Sequence, residues 1–397
     1  MIGLHRGAAL LALALLLAAC GGTSGGPDST PTSAPILSPT PEPAPTDTPA
    51  PTSTPVPPPP SIPDLPSALQ IELPDGFVAY AIAEGFFRPT SIAISPDGAI
   101  YLSERHGNVF RLEDRDGDGV FEERVRFAST SGEITGLLLA PGGPLYVSST
   151  GRVTAVRDTD GDGVGDEKQD IIGGLPSGLH QNNGLVFGPD GKLYITNGST
   201  CDECDETDER SATILQANAD GSDLRVYARG LRNAYDLVFD GQGRLWATDN
   251  GSDAPCATID ELNLVVEDGD YGWPYGSACD AYRSGIPPSA DLGLHTASTG
   301  IDFYDGGHFP AQYRGNLFLT LWGTFFGPSD NALVLLRVVI DETAEGPQAT
   351  VLPFASGFEH PIDVVMDDDG TLLVLDYGSG REGTTSGKLY RIIYTGG

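Results

Sequence analysis

The stretch Ser91-Ile-Ala-Ile-Ser-Pro-Asp-Gly98-Ala-Ile-Tyr101 is the most informative about the fold, because two short apolar runs flank a turn. Alternating apolar residues predict a β-strand on each side, and Pro-Asp-Gly predicts the tight turn between them. The same arrangement recurs five more times along the chain. The further copies are Thr135–Tyr146, Leu185–Tyr194, Leu237–Trp246, Gly300–Phe318 and Val364–Leu375.

Six such repeats predict an all-β protein, a six-bladed β-propeller whose blades are four-stranded sheets. The last blade presents a difficulty, since only three strands follow Pro361 before the chain ends. The apolar run Phe77–Ala83, which precedes the first blade, is the candidate for the missing strand. We therefore expect this N-terminal strand to close the ring within the last blade, which leaves no unpaired sheet edge.

The chain divides into three regions by composition. Residues 1–20 have a short basic start, an apolar run and small residues before Cys20, which is typical of a secretory signal and resembles a bacterial lipoprotein box. We expect cleavage before Cys20 and lipidation of its thiol, the alternative being an ordinary signal peptide with a chance cysteine. Residues 21–66 are rich in Pro, Thr and Ser, which predicts a disordered linker. Residues 67–397 form the predicted propeller.

The charge balance limits the partners of the protein. The formal net charge is −33, and nucleic-acid binding requires clustered Lys and Arg, so nucleic acid is excluded as a partner. Acidity of this kind suits an exported protein. We expect an extracytoplasmic protein, attached to the bacterial cell envelope through its lipid alone, because no later stretch is long and apolar enough to cross a bilayer.

The strand directions predict where a site would lie. Pro-Asp-Gly turns are expected on one face of the propeller, and the starts of the innermost strands on the other, around the mouth of the central channel. Three of the six histidines, His180, His295 and His360, stand at such starts. No rule of the fold requires this, so the mouth is the candidate site.

Two acidic loops have the carboxylate spacing of calcium-binding loops, without the twelfth-position Glu or the flanking helices of an EF-hand. We expect them on the face opposite the mouth, either as structural calcium sites or as plain acidic turns. Their predicted ligands are Asp114, Asp116 and Asp118 in the first loop, and Asp158, Asp160 and Asp162 in the second.

Four cysteines remain after Cys20. Cys201 and Cys204 are spaced C-x-x-C, and Cys256 and Cys279 lie in a later loop region. In an exported chain these four are disulfide candidates, and a zinc site would need more ligands than one C-x-x-C supplies. The pairing is left open by the sequence.

Several motifs between Leu179 and Gly276 resemble those of the glucose/sorbosone dehydrogenase family, the soluble sugar dehydrogenases that depend on pyrroloquinoline quinone (PQQ). The resemblance covers roughly residues 85–395, including the order of the six blades. The motifs are His180-Gln-Asn-Asn-Gly184, Gly230-Leu-Arg-Asn233, Trp246-Ala-Thr-Asp-Asn-Gly251, Asp260-Glu-Leu-Asn-Leu264 and Gly269-x-Tyr-Gly-Trp-Pro274.

The resemblance implies a sugar or polyol oxidation. His180 matches the base that takes the proton of the sugar hydroxyl. Arg232 and Asn233 match residues that contact the quinone and stabilise its developing negative charge, so His180 and Arg232 are the implied catalytic residues. Main-chain carbonyls of Gly251 and Ser252 match the ligands of a calcium ion on the cofactor. A periplasmic or membrane electron acceptor is implied as a partner. The further cofactor contacts predicted on this basis are Glu133, Asn250, Gly251, Trp322 and Arg381.

The chain also departs from the family pattern. The best-studied branch anchors the three PQQ carboxylates with a Lys and a pair of Arg from the last two blades, and this chain has Leu321–Thr324 and Glu359–Asp363 there. A glutamine expected before the second inner strand is Glu133. Arg88, Arg105 and Arg381 are the cations that could compensate.

Two other functions compete with the dehydrogenase. The first is a non-catalytic propeller that binds a glycan or a protein at the channel mouth, which the missing cations favour. The second is a calcium-dependent lactone hydrolase, which needs carboxylates and amides around a central metal. For the hydrolase, the candidate ligands are Glu133, Asn183, Asn233 and Asp249.

Overall fold

The strands of this protein assemble into six four-stranded antiparallel sheets arranged in a ring. A computed structural model describes residues 66–140, 142–201, 204–252, 258–274, 285–324 and 333–396. The predicted signal peptide and nearly all of the linker lie outside these ranges. Within them, no helix has the length and hydropathy needed to span a bilayer.

The first three blades follow chain order, with the innermost strand first. Blade 1 comprises β2 (Pro89–Ile94), β3 (Ile100–Glu104), β4 (Asn108–Glu113) and β5 (Glu123–Ser129). Blade 2 comprises β6 (Ile134–Leu139), β7 (Leu145–Ser149), β8 (Arg152–Arg157) and β9 (Glu167–Gly173). Blade 3 comprises β10 (Asn182–Phe187), β11 (Leu193–Asn197), β12 (Thr213–Ala217) and β13 (Arg225–Arg229).

The last three blades include the closure of the ring. Blade 4 comprises β14 (Ala234–Phe239), β15 (Leu245–Asp249), β16 (Ile259–Val265) and β17 (Ala290–Leu294). Blade 5 comprises β18 (Ser298–Tyr304), β19 (Asn316–Leu321), β20 (Val334–Thr343) and β21 (Gly346–Ser356). Blade 6 comprises β22 (Pro361–Met366), β23 (Leu372–Asp376), β24 (Gly387–Tyr394) and, on its outer edge, β1 (Phe77–Phe86).

The predicted closure by an N-terminal strand is confirmed. β1 pairs antiparallel with β24, and Phe77 lies opposite Tyr394. The ring of Phe77 packs edge-on against Phe309 and Phe354 of blade 5, with ring centroids 4.8 and 5.2 Å apart. The closing strand is therefore held both by its sheet and by an aromatic cluster between the last two blades.

One hydrogen bond from a side chain joins the inner strand of each blade to that of the next, and we call these six contacts the inter-blade ring. In blades 2 and 3 the side chain donates to a carbonyl, and elsewhere it accepts a backbone N–H. The contacts are Leu137 N to Ser91 Oγ, Thr135 Oγ1 to Asn182 O, Asn183 Nδ2 to Ala234 O, Ile301 N to Asp236 Oδ2, Met366 N to Asp302 Oδ2, and Ile92 N to Asp363 Oδ2.

Glycine is required where two inner strands come closest. A Cβ on Gly184 would lie 2.3 Å from Asp236 Oδ1, and one on Gly300 would lie 2.4 Å from Asp363 Oδ1. A side chain at either position would push the neighbouring blade away. These glycines therefore fix the spacing of the blades around the channel.

Three of the inter-blade side chains are carboxyl groups, of which Asp363 is buried and Asp236 and Asp302 are partly buried. Burial raises the pKa of Asp302 to about 6, and burial together with the charge of Asp302 raises that of Asp363 to about 7. Burial and the charge of Asp363 also raise the pKa of Asp236 well above its usual range. The ring is therefore joined in part by carboxyl groups that hold protons more tightly when the protein is folded.

This arrangement predicts that the free energy of unfolding falls as the pH rises. Each raised pKa gives stability that is fully present below the unfolded value near 4 and is lost as the pH passes the folded value. For Asp302 the loss between pH 4 and pH 8 is on the order of 3 kcal/mol. Asp302→Asn, which mimics the protonated group, should remove that part of the pH dependence in urea titrations at several pH values.

The matched control is Asp341→Asn, at an exposed position on β20. This variant should keep the pH profile of the wild type. A profile for Asp302→Asn that parallels the wild type from pH 4 to pH 8 would show that the carboxyl group carries no such dependence.

The candidate site at the channel mouth

A cavity of about 270 Å³ opens at the predicted mouth, close to the size of a small-molecule site. All six blades contribute to its wall or floor. Of the predicted site residues, Glu133, His180, Asn233, Asn250 and Trp322 line it, and they are joined by Arg105, Gln181, Asn183, Tyr377 and others. The structure therefore brings together residues from separate blades, as the sequence predicted.

The floor of this cavity is a ring of six residues, one from each inner strand. In every blade the pairing of the inner strand with its neighbour shifts register just after the strand begins, which turns the floor residue toward the mouth. The next residue or two reach the channel below or the adjacent blade. The floor residues are Thr90, Thr135, Asn183, Tyr235, Thr299 and Ile362.

His180 is held at the wall by its backbone. Its N–H donates to Ser199 O at 3.1 Å, and the N–H of Ser199 donates to Arg232 O at 2.7 Å. A Cβ on Gly198 would lie 2.6 Å from His180 Cβ and 2.8 Å from Asn233 Oδ1, so both side chains pack on this glycine. The predicted base and the predicted quinone contact are thus neighbours.

Asn233 is positioned by a buried carboxylate. The two oxygens of Asp249, at the end of β15, accept the N–H groups of Asn233 at 2.7 Å and Arg232 at 3.0 Å. Asn183 Nδ2 donates to Asn233 Oδ1 at 3.0 Å. Because Asp249 is committed to this turn and buried, it does not reach the cavity, which argues against the lactone hydrolase.

Arg232 lies elsewhere than predicted. Its side chain is not among the described residues that line the cavity, and the residue is 3% exposed. Nη1 donates to Gly251 O at 2.7 Å, and the guanidinium lies 5.8 Å from the centre of the Trp273 ring. A backbone carbonyl and an aromatic face stabilise the cation in the interior, so it packs beneath the wall.

The same contact bears on the predicted calcium ligands. Gly251 N donates to Asp260 Oδ1 at 2.8 Å, and Ser252 N donates to Thr258 Oγ1 at 2.7 Å, so the loop is fixed from below. The Gly251 carbonyl already accepts from Arg232. A calcium ion on that oxygen would repel the guanidinium, and Arg232 would have to give up this hydrogen bond.

Arg105 and Glu133 form an ion pair in the cavity wall. Arg105 Nη2 lies 2.7 Å from Glu133 Oε2, and the two side chains are 45% and 46% exposed. Burial lowers the pKa of the Arg105 guanidinium, but the hydrogen bond and charge of Glu133, with a contribution from Tyr377, outweigh burial and raise it. Of the three arginines offered by the sequence, Arg105 is the one placed in this cavity.

Arg381 and Arg88 line a second cavity beside the first, together with His360. Arg88 donates through Nη2 to Gly380 O at 2.7 Å, which fixes it to the loop that carries Arg381. The ring of Trp322 lies 4.8 Å from that of His360, and Trp322 also lines the central cavity. The predicted cofactor contact Arg381 is therefore a neighbour of the central cavity and not part of its described lining.

The described cysteines and the two acidic loops lie outside the lining of the mouth cavity. Cys201 and Cys204 form a disulfide, while Cys256 and Cys279 lie outside the described residues.

The first acidic loop places Asp114 beside Asp97 of a Pro-Asp-Gly turn, which confirms the predicted face. Calcium in either loop stays a prediction. Carboxylates close enough to share an ion are Asp114, Asp116, Asp118 and Glu122 in one loop and Asp158, Asp160 and Asp166 in the other, so Asp162 is not in the second group.

A family model described as a domain of unknown function, DUF7133, matches residues 102–321, from β3 to β19, which is more than half of the chain. The chain belongs to the DUF7133 family. The match includes His180, Asn233 and the loop of Gly251. The matched region therefore spans the central part of the candidate site.

The DUF7133 chain is also similar to characterised proteins. Quinoprotein glucose dehydrogenase B of Acinetobacter calcoaceticus is 27% identical over 268 residues, 53% of this chain and 55% of that protein. The chain thus spans about half the length of this curated relative. The match agrees with the resemblance to PQQ-dependent sugar dehydrogenases.

Two solved structures share the fold. The holo PQQ domain of pyranose dehydrogenase from Coprinopsis cinerea superposes with a TM-score of 0.69 at 17% identity, over 84% of this chain and 99% of that one. PQQ-bound aldose sugar dehydrogenase from Streptomyces coelicolor gives 0.62 at 20% identity, over 81% and 99%. At these identities the likeness establishes the fold of the DUF7133 chain.

Proposed function

We propose that the protein is an exported sugar or alcohol dehydrogenase that uses PQQ and calcium. The observation that carries the proposal is that His180 and Asn233 both line the mouth cavity and that both side chains pack on Gly198. Support comes from the PQQ-dependent relatives named above. Export and lipidation at Cys20 belong to the proposal and rest on the N-terminal sequence.

The cavity fits the quinone end of PQQ, judged by its donor groups. Asn183, Asn233, Asn250, His180 and Gln181 all line it. Asn183 Nδ2 donates to Asn233 Oδ1 and Ala234 O, and Asn250 Nδ2 donates to Asn233 O and Ser298 O. The Nδ2 group of Asn233 is therefore the amide donor of the three that suits a quinone oxygen or a sugar hydroxyl. For the carboxylates of PQQ the described lining offers one guanidinium, that of Arg105.

The chemistry requires a base next to a hydride acceptor. When bound, PQQ would supply the acceptor for the hydride that leaves the carbon of the sugar. His180 takes the proton of the sugar hydroxyl, because a neutral imidazole is a suitable base near pH 7. As the C–H bond breaks, the electron pair left by the O–H bond forms the carbonyl of the product. Asn233 orients the reactants, while Trp322 and Tyr377 exclude water from one side.

Calcium would bind through the carbonyls of Gly251 and Ser252. Hard cations prefer oxygen ligands of this kind. Arg232 would then leave Gly251 O and extend toward the cavity, which gives it the role in stabilising negative charge that the sequence predicted. The electron acceptor that follows is a periplasmic or membrane component.

The test is to add PQQ and calcium to purified protein and follow binding by absorbance. Aldoses and polyols are then assayed with an artificial dye as acceptor, with and without a calcium chelator. We expect saturable PQQ uptake at micromolar concentration and sugar-dependent reduction of the dye, both lost with the chelator. A protein that takes up no PQQ under these conditions is not this enzyme.

A glycan-binding propeller without catalysis is the second candidate. Amides, hydroxyl groups and the aromatic ring of Trp322 line the cavity, and Arg105 and Glu133 cancel one another in charge. Such a lining also suits a neutral sugar. Binding of glycans to the protein in the absence of PQQ, without turnover in its presence, would favour this candidate over the dehydrogenase.

A further inference from the structure

The charged groups of the mouth cavity are few. Among the described residues that line it, Arg105 is the single Lys or Arg and Glu133 the single Asp or Glu. They are paired with each other at 2.7 Å. A ligand with carboxylate groups therefore meets a guanidinium that already has an anionic partner.

The backbones on both sides of this pair are fixed. Arg105 O accepts the N–H of Ile134 at 3.0 Å, and Arg105 N donates to Arg88 O at 2.9 Å. Glu133 N donates to Thr150 Oγ1 at 3.1 Å, and Glu133 O accepts from Gln181 Nε2 at 3.2 Å. The two side chains can therefore exchange partners while the loops that carry them stay in place.

The pair is also easily broken. Both side chains are nearly half exposed, and ion pairs in such positions contribute little to stability because water screens them. The loss of the pair would be small compared with a new charge-assisted contact between Arg105 and a carboxylate of a ligand that fills the cavity. Arg105 is thus available to an anion that can displace Glu133.

We propose that Arg105 is a specificity-determining residue for carboxylated ligands and that Glu133 is its internal competitor. A ligand carboxylate takes Arg105 from Glu133, and the displaced Glu133 then faces a second negative charge. Glu133 lowers the affinity of the site for anions, while neutral ligands bind without disturbing the pair. This inference rests on the proposed function for the identity of the anionic ligand, PQQ.

The experiment is a titration of the full-length protein with PQQ in the presence of calcium, followed by absorbance. Glu133→Gln should tighten PQQ binding by about tenfold, because the competitor and the repulsion are both removed. Arg105→Gln should weaken it by about a hundredfold. In the Arg105→Gln background, Glu133→Gln should have a much smaller effect, since the two residues act through one another.

The matched control is Asp170→Asn. Asp170 pairs with Arg152 at 3.4 Å, and their exposed fractions, 51% and 40%, are similar to those of the pair in the cavity. This pair lies on β8 and β9, and neither residue lines the mouth cavity. Asp170→Asn should bind PQQ as the wild type does. The trimethyl ester of PQQ, which lacks the three charges, should bind wild type and Glu133→Gln equally.

The outcomes separate the two proposals. Equal PQQ affinity in wild type and Glu133→Gln overturns the inference and leaves the proposed function standing. Binding by Glu133→Gln alone supports the inference, because it shows that Glu133 is what limits the site. If neither protein takes up PQQ, the inference and the proposed function fall together.

Discussion

Replacing His180 by Ala is expected to lower kcat of the PQQ- and calcium-loaded protein by about a hundred- to ten-thousandfold. Its imidazole is in our proposal the group that accepts the hydroxyl proton, and no other histidine is among the described residues that line the central cavity. Steady-state assays with a sugar and a dye acceptor measure the effect. PQQ affinity should change far less, because Arg105 and the amides remain.

The pH profile distinguishes a base from a structural residue. Wild-type kcat should rise with pH as the imidazole loses its proton. His180→Gln, which keeps a polar side chain of similar size, should lack this rise. His106→Ala is the control, since His106 is exposed and stacks on Phe87 outside the cavity lining. An unchanged kcat in His180→Ala would remove His180 from the mechanism.

Replacing Phe77 by Ala is expected to destabilise the protein by about 3–5 kcal/mol. Phe77 is buried, and it contacts four aromatic rings at centroid distances of 4.8 to 5.2 Å, those of Phe309, Tyr313, Phe354 and Tyr394. Loss of its ring opens a cavity where the last blade meets blade 5. Urea unfolding followed by tryptophan fluorescence measures the change.

Two further variants make this prediction specific to the closure of the ring. Leu69→Ala, at a position 88% exposed, should leave the unfolding midpoint within experimental error. Phe77→Leu, which keeps most of the buried volume, should lose less than Phe77→Ala. If Phe77→Ala unfolds at the wild-type midpoint, β1 contributes little to the ring.

The fold could be predicted because its information is local. Alternating apolar runs and glycine-containing turns specify hairpins, and six such hairpins, five of them of similar length, leave few arrangements. The closing strand followed from counting, since the last blade lacked one. The start of β1 at Phe77 agreed with the structure, whereas its end extends to Phe86.

The site was predicted less completely, because it depends on where side chains point. His180, Asn233 and Asn250 reached the cavity, since the first two precede inner strands and Asn250 follows the end of β15. Arg232 did not reach the cavity, because its buried guanidinium contacts the Gly251 carbonyl and the Trp273 ring. Sequence spacing does not show that either group lies nearby. A long charged side chain can reach partners in several directions.

Two features were missed, and for one of them the sequence holds a signal. The floor ring appears when the six inner strands are aligned, as in Thr135-Gly-Leu137, Asn183-Gly-Leu185 and Thr299-Gly-Ile301. At the middle position the other three blades carry Ser91, Asp236 and Asp363. The Arg105–Glu133 pair had no such signal, since it joins residues of different blades.

The alternation along the inner strands has a consequence for how new specificities can arise. In blades 1, 4 and 6 the floor residues Thr90, Tyr235 and Ile362 are immediately followed by the residues that join neighbouring blades. Random replacement at these three floor positions can therefore vary the chemistry beneath a substrate while the scaffold keeps its cohesion. In these three blades, a position that can vary therefore lies one residue away from a position that must be preserved.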